Sequence, residues 1–177
     1  MKKYELTTES KIVFGNKVFR IKALMSFGNI KKDDLGGFVE AEGNLAQSGD
    51  AWVYGDARVS GDARVYGDAR VSGDAWVSGD AWVSGDARVY GETRIEHSKH
   101  TESPICISAS RYFVGWSGIP GQIRSGCNLK PIEWWMENVK RCAEENGYTE
   151  DQQIEYELLI GLVIQWMKLK GVDKEVK

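Results

Sequence analysis

The residues best suited to chemistry fall on a strict spacing. Arg58, Arg64, Arg70, Arg88 and Arg94 lie at multiples of six residues, and Trp52, Trp76 and Trp82 fill the intervening places. Two positions after each of these except Arg94 comes Tyr54, Ser60, Tyr66, Ser72, Ser78, Ser84 or Tyr90. A guanidinium fork holds phosphate or carboxylate, an indole or phenol stacks on a ring, and a hydroxyl completes polar contacts. The pattern therefore suits an anionic, ring-bearing ligand such as a nucleotide. The same side chains also suit a solvated surface ladder or a subunit interface, where arginine and tryptophan are enriched.

These positions are set by the stretch from Gly49 to Ile95, which repeats Gly-Asp-Ala-Arg/Trp-Val-Tyr/Ser with almost no drift. Valine (Ile95 in the last hexad) and the small residue two places earlier share one side of a strand, so they form an inner face. Arg or Trp and the following Tyr or Ser point outward. Glycine accepts a positive φ at each corner, and Asp can hydrogen-bond its own backbone there. Six residues make one short strand and one corner, and three sides close a triangular coil of about 18 residues, a left-handed β-helix. That period stacks Trp52, Arg70 and Arg88 beside Tyr54, Ser72 and Tyr90 on one face. Arg58, Trp76 and Arg94 follow beside Ser60 and Ser78, and Arg64 and Trp82 beside Tyr66 and Ser84. Rungs about 4.8 Å apart predict a cation–π sandwich of Arg58, Trp76 and Arg94. The candidate ligand-binding residues are Arg58, Arg70, Trp76, Arg88, Arg94, Tyr54 and Tyr90.

The hexads resemble the left-handed β-helix superfamily, whose best-known members are trimeric acyltransferases. KYELTTESKIVF, DLGGFVEAEGNLAQSGDAWVYGDA and IRSGC…IEWW resemble a phage and prophage family of hexapeptide-repeat proteins, often labelled polymer-forming or of unknown function. The resemblance implies a homotrimer and carries little activity with it. Acyltransferases of the superfamily use a histidine base at a subunit junction. His97 and His100 are the only histidines here, and both fall in EHSKHTES, read as a polar loop without a visible orienting partner. Catalysis is therefore not expected.

Other chemistry finds weaker support. The Asp columns (Asp50, Asp68, Asp86; Asp56, Asp74; Asp62, Asp80) lack the calcium-binding repeat pattern and suit corner turns. Three cysteines, Cys106, Cys127 and Cys142, show no CxxC spacing, which speaks against a zinc site or a disulfide framework. Cys106 between Ile105 and Ile107 reads as a small hydrophobe. No metal or cofactor is implied. The net charge of −3 gives no reason to expect general nucleic-acid or membrane-surface binding. The start MKKYELTTES has no apolar run of the signal-peptide kind, and no stretch reaches membrane-spanning length, so a cytoplasmic protein is expected.

The rest of the chain must begin and end the coil. Residues 1–42 read as an N-terminal β cap, with strands at 3–7 and 11–24 and a hairpin turn at Gly15-Asn16. Residues 43–96 form the β-helix, its first hexad degenerate with Gln47 in the valine place. Residues 97–177 hold short strands at 104–108, 111–116 and 122–126, then two amphipathic helices. The first follows Pro131, with Ile132, Trp135, Met136, Val139 and Ala143 on one face and Gly147 as its stop. The second starts at the capping box Thr149–Gln152 and ends at Gly171, its face carrying Ile154, Leu158, Leu162 and Trp166 beside Leu159, Val163 and Met167. Both helices need a partner surface, and a trimeric, non-enzymatic binding protein is the expected whole.

Overall fold

A computed structural model describes residues 2–96, 99–100 and 103–174. The chain divides into two compact units, Met1–Pro104 and Ile105–Lys177.

The first unit is a parallel β-solenoid of about three turns. Its two-residue strands are β4 (Trp52–Val53), β5 (Arg58–Val59), β6 (Arg64–Val65), β7 (Arg70–Val71), β8 (Trp76–Val77), β9 (Trp82–Val83), β10 (Arg88–Val89) and β11 (Arg94–Ile95), preceded by β1 (Tyr4–Val13), β2 (Asn16–Ala23) and β3 (Leu35–Val39) and followed by β12 (Lys99–His100). They stack as β3-β5-β8-β11, β4-β7-β10 and β6-β9-β12. Pairing joins residues 18 apart, as Trp52 with Arg70 and Arg70 with Arg88. Every repeat Val from Val53 to Val89, every repeat Ala and Ile95 are completely buried, so the core is a column of small and β-branched side chains. At the corners φ is positive, +71° at Gly49, where an added Cβ would lie 2.5 Å from the Gly67 carbonyl oxygen. No side chain fits there.

The coil starts earlier than the hexads suggest. Val39 pairs with Val59 and Leu45 bridges Val65, so Leu45 takes the inner place expected of Gln47. Two extra residues separate this turn from the next, which shifts the register. Gln47 instead seals β1, its Oε1 accepting from the Lys3 and Tyr4 amides at 2.8 and 3.3 Å. Two side chains replace missing backbone donors on the first rungs. Asn44, in a 3₁₀ turn (Glu42–Asn44), donates Nδ2 to the Gly61 and Ala63 carbonyls at 2.8 and 2.9 Å, and Lys3 donates Nζ to Gly49 and Ala51 at 3.2 and 2.9 Å. Buried carbonyls need such partners.

The coil also ends later. β12 pairs with β9, His100 opposite Val83, and His100 is 2% exposed. Only 17 residues separate that pair, so one residue fewer in the last turn brings a histidine into the valine column. The surface-loop reading of His100 is corrected; His97 lies outside the described residues.

β1 and β2 form an antiparallel hairpin, and β2 pairs with β3. Val13 pairs with Asn16, so the turn is Phe14-Gly15, with φ of +48° and +87°, rather than Gly15-Asn16. A bulge between Leu6 and Ser10 makes β1 irregular.

The second unit has an antiparallel sheet of β13 (Cys106–Ile107), β14 (Val114–Trp116), β15 (Gln122–Ser125) and β16 (Asn128–Pro131), then α1 (Ile132–Glu145) and α2 (Glu150–Lys170). Thr149 and Gln152 make the reciprocal capping box, and Gly171 ends α2 at φ +68°. The buried face of α2 is Tyr156, Ile160, Val163, Ile164 and Met167. Ile154, Leu158 and Leu162, expected to face inward, are exposed, as is Met136 of α1. α2 is apolar on more than one side, so hydrophobic spacing alone does not choose its inner face. No described helix is long and apolar enough to cross a membrane.

Candidate functional site

The seven candidate residues divide between two faces of the solenoid. On one, β5, β8 and β11 bring Arg58, Trp76 and Arg94 into register. The arrangement differs from the predicted sandwich. Phe14, at the hairpin tip, lies flat on Trp76 with centroids 4.7 Å apart and planes 9° apart. Arg94 sits 5.9 Å from each of those two rings. Trp76 Nε1 donates to the buried Ser60 hydroxyl at 3.1 Å, and Arg58 approaches Asp74 at 3.9 Å. The hairpin is held across this face by Lys11, whose ammonium meets Asp56 at 3.1 Å and stands 3.7 Å above the Phe38 ring. The Lys11 contact also holds the Asp56 carboxyl below its ordinary range. The chain's own aromatic thus occupies the stacking place on Trp76.

Among the described residues, none stacks on the second face. Arg70 and Arg88, on β7 and β10, are directly paired in register, about 4.8 Å apart along the stack. Neither guanidinium has an ion pair or side-chain hydrogen bond among the described residues. They line a groove of about 470 Å³ with Asn29, Tyr54, Ser72 and Tyr90. Tyr54 and Tyr90 occupy the outer and Ser72 the middle of three successive rungs, which leaves a gap of about 9.6 Å between the tyrosine positions. The small middle residue keeps that gap clear.

Trp52 was expected to head this column outward, but it is 1% exposed. Tyr4 and Phe27 meet its ring edge-on at 6.2 and 5.4 Å. That packing positions a residue sequence reasoning missed. Phe27 and Ile30 exchange backbone hydrogen bonds at 3.1 and 2.8 Å around Gly28-Asn29, and Tyr54 donates to Asn29 Oδ1 at 3.4 Å. The signal was present: Gly-Asn between two apolar residues marks a tight turn.

The third face carries Arg64 5.7 Å from Trp82, and Tyr66 edge-on to the same indole at 6.0 Å. At the corners, Asp68 accepts from the Asp50 amide at 3.3 Å. Cys106 is half-buried in β13.

Residues 51–65 and 63–79 match the family model described as the YdcK beta-solenoid repeat. This match and the geometry agree on a β-solenoid repeat protein. No curated protein matches the chain.

Proposed function

We propose that this chain is a non-enzymatic binding protein of phage or prophage type that sequesters a small anionic, nucleotide-like ligand, such as a host defence signal. In this reading the coil is left-handed, the N-terminal hairpin caps it, and three copies associate so that a neighbouring subunit closes the groove. The protein works in the host cytoplasm.

One observation carries the reading: among the described residues, Arg70 and Arg88 stand opposed without a carboxylate partner between Tyr54 and Tyr90. Like charges directly across a rung destabilise a sheet. A phosphate between them would turn that cost into charge-assisted hydrogen bonds. The rings beside it supply stacking surface, and the volume lies within the range of small-molecule sites. Acyl transfer is the weaker reading, because burial keeps His100 away from an acceptor hydroxyl. A purely structural module, in which the same column is a solvated ladder or an interface, does not call for the clear gap at Ser72 between Tyr54 and Tyr90. Mass spectrometry of ligands retained by the protein from an infected-cell extract tests the proposal. A phosphate-bearing ring compound retained by the wild type and lost from Arg70→Ala supports it; recovery of none contradicts it.

A further inference from the structure

The second unit leaves one side of α2 uncovered. Leu158, Leu162 and Leu169 are 69%, 50% and 80% exposed. Beside them a groove of about 470 Å³ runs between α1 and α2, lined by Trp135, Val139, Ile160 and Ile164, with the exposed Met136 also along it. Gly161 lies in that groove, at the middle of the 21-residue α2. A Cβ at Gly161 would meet nothing within 4 Å. Packing within the chain therefore gives no reason for glycine, which is costly inside a helix compared with alanine. A missing side chain amid exposed leucines lets a second helix approach closely.

The charges of α2 indicate which helix fits. Its first half carries Glu150, Asp151, Glu155 and Glu157, and its last turn Lys168 and Lys170. Laid antiparallel across itself at Gly161, α2 sets each acidic half against a lysine-bearing end, twice, by symmetry. Within the groove Glu157 is already paired with Lys140 of α1 at 3.4 Å, so the acidic half offered to a second copy is Glu150, Asp151 and Glu155, and Lys168 at the groove's rim is the nearest cation to meet it. We propose that this face is a two-fold contact with a second copy of the chain, α2 crossing α2 antiparallel at Gly161. The contact is self-complementary, so it produces even subunit numbers: two, or six where the solenoids also form trimers. It does not depend on the ligand reading.

Sedimentation of the full chain tests it. The wild type should show an even subunit number, and Leu162→Glu should halve the mass while helical circular dichroism is retained. A second measurement covers loss of folding in that variant. Gly161→Cys on a Cys127→Ser background places a thiol on the symmetry axis and should form an interchain disulfide under mild oxidation. A wild type of one or three subunits, as expected if the face instead takes a foreign helix, overturns the proposal. So does a mass unmoved by Leu162→Glu in folded protein, or a Gly161→Cys variant that does not cross-link.

Discussion

Phe14 covers Trp76 at 4.7 Å, ring on ring, from a backbone conformation that a bulky residue seldom adopts. The turn geometry suits asparagine or glycine at that place, so the aromatic is held there against local preference. Its partner is the stack of Trp76 with Arg94. On this face the chain's own Phe14 occupies the stacking place on Trp76, whereas on the Arg70–Arg88 face no ring is stacked and no carboxylate is paired with either arginine among the described residues.

Phe14→Asn separates these effects. It relieves the turn but loses an aromatic pair worth about 0.5–1.5 kcal/mol, so the melting temperature should move little. Acrylamide quenching of tryptophan fluorescence should rise as the Trp76 face opens. Unchanged quenching would mean that the hairpin tip does not rest on Trp76 in solution.

The inner column predicts a far larger effect. Val71 is completely buried among alanines and valines, and Val71→Asp would bury a charge without a partner. We expect a loss of more than about 4 kcal/mol, enough to unfold or aggregate the first unit. A native melting curve for this variant would contradict the inward valine assignment.

Asn44→Leu keeps similar volume but removes the donors to the Gly61 and Ala63 carbonyls. Each unsatisfied carbonyl costs about 1–3 kcal/mol. Chemical denaturation should show a lower midpoint with little change in slope. A midpoint equal to wild type would mean that water replaces the amide.

Lys3 provides a pH signature. Burial lowers its ammonium to about 8 from 10.5, against the pull of Asp50. Above pH 8 the folded protein has released a proton that the unfolded chain still holds, so stability rises with pH. Burial also pushes the Tyr4 hydroxyl well above its ordinary 10, with Glu42 adding to the shift. The folded state keeps that proton when the unfolded chain loses it, so stability falls again above about pH 10. Melts of the first unit should therefore gain stability from pH 8 to 10 and lose it beyond. Lys3→Met should abolish the rise; a rise that persists in the variant would assign it to another group.

Much of the coil was legible because Val, Ala and Gly-Asp recur without drift, and each type has one physically suitable place. Its two ends were not. Leu45 rather than Gln47 enters the core because the first turn is two residues longer, and His100 does so because the last is one shorter. The Arg70–Arg88 pairing followed from the 18-residue period, whereas the cover over Trp76 did not. That contact comes from a hairpin about sixty residues away, and no periodicity encodes it. Asn29 reaches the groove through a loop anchored on Trp52, a residue the repeat alone assigns to the surface. On α2, Leu158, Leu162, Val163 and Ile164 are too evenly apolar for spacing to choose between a buried and an uncovered side.

Ligand binding at the Arg70–Arg88 groove is read out by titration calorimetry against a panel of cyclic nucleotides and ADP-ribose derivatives. At least one phosphate-bearing ring compound should bind saturably. Arg70→Ala and Arg88→Ala should each weaken it by roughly tenfold or more, as expected for loss of a charge-assisted contact. Tyr54→Ala or Tyr90→Ala should cost about 1–3 kcal/mol. Trp76→Ala should matter less, because Phe14 already covers that ring, and subunit number and melting should stay near wild type in the two arginine variants and in Tyr90→Ala, whereas Tyr54 also packs on the core. No heat with any member of the panel, or binding indifferent to both arginines, would show that the groove does not hold such a ligand.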